Sequence, residues 1–126
     1  MTHSTTLLFA YGTLMRGEPA HSLLADAAFL GRICTARGFG LVRLEGYPGM
    51  IESTGDVVHG ELYELPDPAR WHLLDEYEDC PNEYVRRWIP LATAVPHAGT
   101  YPRAQSYLVR DPGRAPRITS GDWRNR

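Results

Sequence analysis

Leu7-Leu-Phe-Ala-Tyr11 is an unbroken apolar run that stops at Gly12, the pattern of a short strand buried on both faces. It is expected to begin the core. Gly12 to Pro19 is punctuated by glycine and reads as loop, and His21-Ser-Leu-Leu-Ala-Asp26 follows Pro19 as one or two helical turns. Arg32 to Ala36 and Gly40 to Leu44 read as strands. Glu45 to Gly55 is rich in turn residues and is expected to shape a pocket rim rather than a regular element. Asp56 to Leu65 alternates around Val58, Gly60, Leu62 and Tyr63, which predicts a strand. Pro66-Asp67-Pro68 then opens a helix, with Asp67 as N-cap, Pro68 at the first helical position and Pro81 past its end. That helix is predicted over Pro68 to Asp79. Tyr84 to Thr93 reads as a long strand in which Pro90 marks an edge or a bulge. Pro96 to Pro102 reads as loop, Ala104 to Val109 as a last short strand, and the tail from Asp111 as irregular. One helix among about six strands implies an α+β domain, a small mixed β-barrel or strongly curved sheet with a few short helices.

One residue breaks the pattern of the predicted helix. At about 100° per residue, Trp71, Leu73, Leu74 and Tyr77 form an apolar stripe, and Glu78 falls between Leu74 and Trp71 on it. His72 and Glu76 point the other way. A carboxylate facing a core is costly unless it is paired or lines a cavity, and burial raises its pKa toward the range of a proton carrier near neutral pH. Glu78 is therefore a candidate general base. The alternative is a solvated Glu78, or one paired with Arg86 or Arg87.

Composition narrows the chemistry. The 126 residues suit one domain, taken as residues 1–126, with a core that needs no staples. A formal charge of -2 with scattered arginines offers no basic stripe, which argues against a nucleic-acid partner and for a small-molecule ligand. All 13 Lys and Arg residues are Arg, so Schiff-base and phosphate-loop lysine chemistry drop out. Cys34 and Cys80 have neither redox-pair nor zinc-site spacing and are expected as free thiols. Met1 to Thr6 lacks the features of a secretory signal, and no stretch is long enough to span a membrane, so a reducing cytoplasm is the expected location.

Tyr11-Gly12-Thr13-Leu14 stands where the first strand ends, and a glycine there lets successive backbone N–H groups converge on an anion such as a carboxylate. By itself the tetrapeptide reads rather as an ordinary strand-to-loop turn, with Thr13 bonding its own backbone. Arg16-Gly17-x-Pro19-x-His21 follows it, and Leu74-Asp75-x-x-Glu78-x-Cys80-Pro81-x-x-Tyr84-x-Arg86 lies downstream. Together with Ser120-Gly121-Asp122-Trp123-Arg124 these resemble the γ-glutamylcyclotransferase-like family, most closely its γ-glutamylamine cyclotransferase branch.

The resemblance implies a small barrel-like α+β fold in which the Tyr-Gly-Thr-Leu loop and Glu78 face one cavity. It also implies the reaction: the α-amine of a γ-glutamyl group attacks its own γ-carbonyl, releasing 5-oxoproline and a free amine, with no metal or organic cofactor. Carried onto this chain, Glu78 moves the protons and the amides of Gly12 to Leu14 hold the glutamyl end. Tyr11, Tyr84 and Tyr107 are candidates to line the pocket, Tyr84 foremost because it follows the motif. Arg86 and Arg16 each either neutralise a carboxylate or lie on a solvated face, and Asp75 reads as a structural hydrogen-bond partner. Many family members carry Gly after the catalytic Glu; Asp79 here is expected to raise the pKa of Glu78 further if it lies near and unpaired. A binding module for a carboxylate metabolite and a Glu-dependent amide hydrolase are the alternatives. The leaving amine and the oligomeric state are not written in the sequence.

Overall fold

The computed structural model describes residues 5–92 and 103–126. Within them eight strands form one mixed sheet: β1 (Leu7–Ala10), β2 (Ala28–Cys34), β3 (Gly38–Arg43), β4 (Pro48–Ser53), β5 (His59–Glu64), β6 (Tyr84–Pro90), β7 (Arg103–Val109) and β8 (Arg117–Ile118). The helix α1 (Arg70–Tyr77) joins β5 to β6, and 3₁₀ turns occupy His21–Leu24 and Trp123–Asn125. The loop expected over Pro96 to Pro102 and the end of the long strand at Thr93 lie outside the described residues.

The sheet runs β2-β5-β1-β7-β4-β3-β8, with β6 also paired to β7. It curves without closing into a barrel. Among the described residues one isolated bridge, Thr35 opposite Leu91, ties the ends of β2 and β6. Pro90 ends its strand there as an acceptor, its carbonyl taking the N–H of Ala36 at 3.0 Å.

β7 makes the site possible. It pairs along its length with β6, antiparallel, and meets two other strands in parallel at separate points: β1 at Leu8–Gln105 and β4 at Met50–Leu108. Between those contacts β1 and β4 part, and Ser106 and Tyr107 of β7 lie in the fork. Tyr11, just past β1, spans it. The Tyr11 hydroxyl donates to the Tyr107 carbonyl at 2.7 Å and accepts from the N–H of Met50 at 3.2 Å. Ser106 secures the other arm by donating to the Phe9 carbonyl at 2.7 Å.

β1 is buried at all four positions, as its continuous apolar run requires, and Leu8, Leu62, Met50, Leu74 and Ile89 are among the fully enclosed side chains of the core. Two sequence expectations are corrected. Pro48 to Ser53 is a regular strand because β3 and β7 take its hydrogen bonds, which no local turn signal reveals; Gly46, Tyr47 and Pro48 keep the rim role. Ala104 to Val109 is not the last strand, since Arg117–Ile118 of the tail pairs with β3.

Candidate active site

α1 has a narrower buried face than its apolar pattern suggests. Trp71 and Leu74 are buried, whereas Leu73 and Tyr77 are 43% and 45% exposed. The arc turned inward is Leu74, Glu78, Trp71 and Asp75, about 100° wide on a helical wheel, and Leu73 and Tyr77 lie beyond its edge. The helix also starts late. The N–H groups of Arg70 and Trp71 bond the carbonyls of Asp67 and Pro68 in a tight i→i−3 turn, and no side chain caps it. Asp67 thus contributes its carbonyl rather than its carboxylate.

The C-terminus of α1 sets the position of Glu78. Glu78 N–H bonds the Leu74 carbonyl at 2.9 Å, Asp79 N–H the Glu76 carbonyl at 3.1 Å, and Cys80 N–H the Asp75 carbonyl at 2.9 Å. Asp79 has φ +52°. This is a Schellman ending with Asp79 at the left-handed position, where glycine is the unstrained choice. The chain reverses immediately after Glu78, leaving its side chain over the fork of the sheet.

A cavity of about 420 Å³ fills that fork. The six sequence-predicted site residues, Tyr11, Gly12, Thr13, Leu14, Glu78 and Tyr84, all line it. Gly12 is there because nothing larger fits: a Cβ would stand 2.5 Å from Cγ of Pro48. Among the described residues no hydrogen bond occupies the backbone N–H groups of Gly12, Thr13 or Leu14, while the loop's carbonyls are engaged by Met15 and Ala20 N–H and by Nδ1 of His21. The loop is held by its acceptors and offers its donors.

Burial, reinforced by the neighbouring Glu83 carboxylate, pushes the Glu78 carboxyl up to about 8. Neither arginine considered as a partner reaches it. Arg86 is taken by Asp75, Nε to Oδ1 at 3.0 Å, and lies 4.5 Å from the Trp71 ring centroid. Arg87 pairs with Glu52 at 3.5 Å. Asp75 is the hydrogen-bond partner expected, accepting from the Tyr107 hydroxyl at 2.6 Å. Asp79 does not act on Glu78; it is exposed, accepts from the Asn82 amide at 3.1 Å, and the like charge comes from Glu83 instead. Arg16 lies outside the cavity, its guanidinium 4.3 Å from the Phe29 ring centroid.

A profile described as gamma-glutamyl cyclotransferase, AIG2-like, matches residues 8–125. The chain belongs to that family. It is 38% identical over 120 residues to a putative gamma-glutamylcyclotransferase of Vibrio cholerae, covering 93% of this chain and 94% of that protein. It is 41% identical over 88 residues to the gamma-glutamylaminecyclotransferase of Mus musculus; the match takes in 63% of this chain and only 58% of the mouse protein. In three dimensions it is similar to an AIG2-like protein of Mus musculus, with a TM-score of 0.73 at 32% identity over 86% of this chain and 79% of that one.

Sequence reasoning placed Tyr47 only within a stretch expected to rim a pocket, and did not place Glu83 or Tyr77 at the cavity of this family member at all. Tyr47 and Glu83 come together, hydroxyl to carboxylate at 2.5 Å, from the turn before β4 and the residue before β6. Tyr77 stands at the rim, its hydroxyl 2.9 Å from Oγ1 of Thr13. The turn-rich stretch around Tyr47 was a usable signal; Glu83 had none, because its neighbours are made by tertiary pairing. The hydroxyls of Tyr11 and Tyr84 donate to the Tyr107 and Pro48 carbonyls, so neither offers its proton to the cavity. Among the described residues no group of three or more His, Cys, Asp or Glu could hold a metal ion, and no helix is long and apolar enough to cross a membrane.

Proposed function

We propose that this chain cyclises a γ-glutamyl group to 5-oxoproline and releases the attached amine, with Glu78 carrying the protons. One observation supports this above all: Glu78 lines the cavity without a cationic partner among the described residues, beside a loop whose amide donors are open. The open N–H groups of Gly12 to Leu14 accept the glutamyl α-carboxylate. Glu78 removes a proton from the α-ammonium, and the freed nitrogen bonds to the γ-carbonyl carbon as the amide C–N bond breaks.

Three protons start on the ammonium. One stays on the lactam nitrogen and two end on the departing amine, so the carrier must both take and return protons, which a carboxyl held near pKa 8 does at modest cost in either direction. The nucleophile belongs to the substrate. Orientation within the cavity therefore supplies much of the acceleration, and no cofactor is called for. Free thiols at Cys34 and Cys80 suit a reducing cytoplasm as the setting.

The test is a panel of γ-glutamyl amides scored by mass for 5-oxoproline, with Glu78→Gln alongside. We expect 5-oxoproline from the wild type, and from Glu78→Gln nearly unchanged ligand affinity with turnover lost. Free glutamate as the product would establish an amide hydrolase, and binding without turnover in the wild type would establish a binding module.

A further inference from the structure

The proposed reaction leaves one charged group of the cavity unused. Glu83 lines the same space as Glu78, close enough to raise its pKa, yet it sits five residues on, beyond the reversal at Asp79. Its carboxylate is pinned by the Tyr47 hydroxyl at 2.5 Å, and that hydrogen bond, burial and the charge of Glu83 together push the Tyr47 phenol up to about 12. Tyr47 therefore remains a donor and Glu83 an acceptor. None of the residues lining the cavity is Arg, Lys or His.

The charge balance of a bound substrate is incomplete as it stands. A γ-glutamyl group carries one ammonium and one carboxylate, and it turns anionic once the ammonium yields its proton. It would then share a half-enclosed space with Glu83. A positive charge elsewhere on the substrate corrects this, and only the leaving amine has room for one. The Tyr47 and Tyr77 rings, both in the lining, suit the flank of an alkylammonium.

We infer that Glu83, held by Tyr47, selects γ-glutamyl conjugates whose leaving amine bears a second cationic centre, as an α,ω-diamine does. This rests on the cyclotransferase reading above. The tyrosine bond keeps the carboxylate from turning out into water, so the pair is set before the substrate arrives.

The test compares γ-glutamyl-1,4-diaminobutane with its neutral isostere γ-glutamyl-n-pentylamine, each scored by 5-oxoproline formation. In the wild type, kcat/KM for the diamine conjugate is expected to exceed that of the isostere on the order of tenfold, the value of one partly desolvated charge-assisted contact. Glu83→Gln is expected to bring that ratio close to unity. The ratio is the readout because a change in Glu78 protonation scales both substrates alike. A wild-type ratio near one overturns the inference while leaving the reaction standing. So does a Glu83→Gln variant that slows both substrates equally, which would assign Glu83 to the glutamyl ammonium common to both. Absence of 5-oxoproline from every conjugate would instead overturn the cyclotransferase reading itself.

Discussion

A carboxyl that titrates near pH 8 in the fold and near the ordinary Glu value when unfolded has two measurable consequences at Glu78. Between those two values the native state binds a proton that the unfolded chain has lost, so this group makes stability fall as pH rises through the window, and the penalty is complete above about 8. Glu78→Gln removes it. Denaturation curves should show the variant gaining on the wild type by a few kcal/mol at pH 9 and matching it near pH 4. On the proposed role of Glu78 the same titration governs catalysis, because a general base must be ionised in the free enzyme. We expect kcat/KM to climb toward a plateau above about pH 8. A flat profile between pH 6 and 9 would contradict this assignment of the base.

The helix α1 is short, two turns, and depends on its ends and on its one inward arc. Its C-terminal stop uses Asp79 in a left-handed conformation that costs a side chain about 1 kcal/mol and costs glycine almost nothing. Asp79→Gly should therefore raise stability by roughly that amount, read as an increase of several degrees in Tm. Because Glu83 rather than Asp79 supplies the like charge at Glu78, the same substitution should leave the pH profile of activity in place. A profile moved to lower pH would restore Asp79 as the tuning charge. The other anchor of the element is Asp75, which receives both Tyr107 of β7 and Arg86 of β6 and so fastens the helix to the two strands that floor the cavity.

The whole molecule is tied together by its tail. Trp123 is buried and donates to Glu18 at 3.2 Å, while Arg124 bonds Glu61 of β5 at 3.0 Å and also donates to the Arg16 carbonyl. Three distant stretches thus converge beside the loop that bears Gly12 to Leu14. Burial alone would raise the Glu61 carboxyl, but the Arg16 N–H, the Tyr63 hydroxyl and Arg124 outweigh it and hold it below the usual carboxylate range. A depressed folded pKa contributes stability that is present above the unfolded value and lost as pH falls through the folded one. Arg124→Ala should accordingly cost about 1–3 kcal/mol near pH 7, with the deficit shrinking as acid protonates Glu61. Urea titrations near pH 7 and again in acid check it; a deficit that is the same in acid would mean that packing, not the charge, is what Arg124 contributes.

Periodicity and punctuation in the sequence were enough for β1, the existence of α1, the loop after Tyr11 and the place of Glu78 on the helical wheel. Each is settled by neighbours within a few residues: an apolar run and a glycine, prolines on either side, an angle of about 100°. The same local rules misjudged Leu73 and Tyr77, because the width of the helix face that is covered is set by tertiary packing and not by the local pattern. They also passed over β4 and the tail strand, whose hydrogen-bond partners are remote in the chain. The cavity was decided only by tertiary structure. It exists because β1 and β4 diverge on β7, and Tyr47 and Glu83 meet there only because the strands that follow them, β4 and β6, flank β7. Side-chain type and spacing determined which acid could serve as a base, whereas the enclosure that shifts its pKa, and the charges that surround it, arise from contacts that no local segment contains.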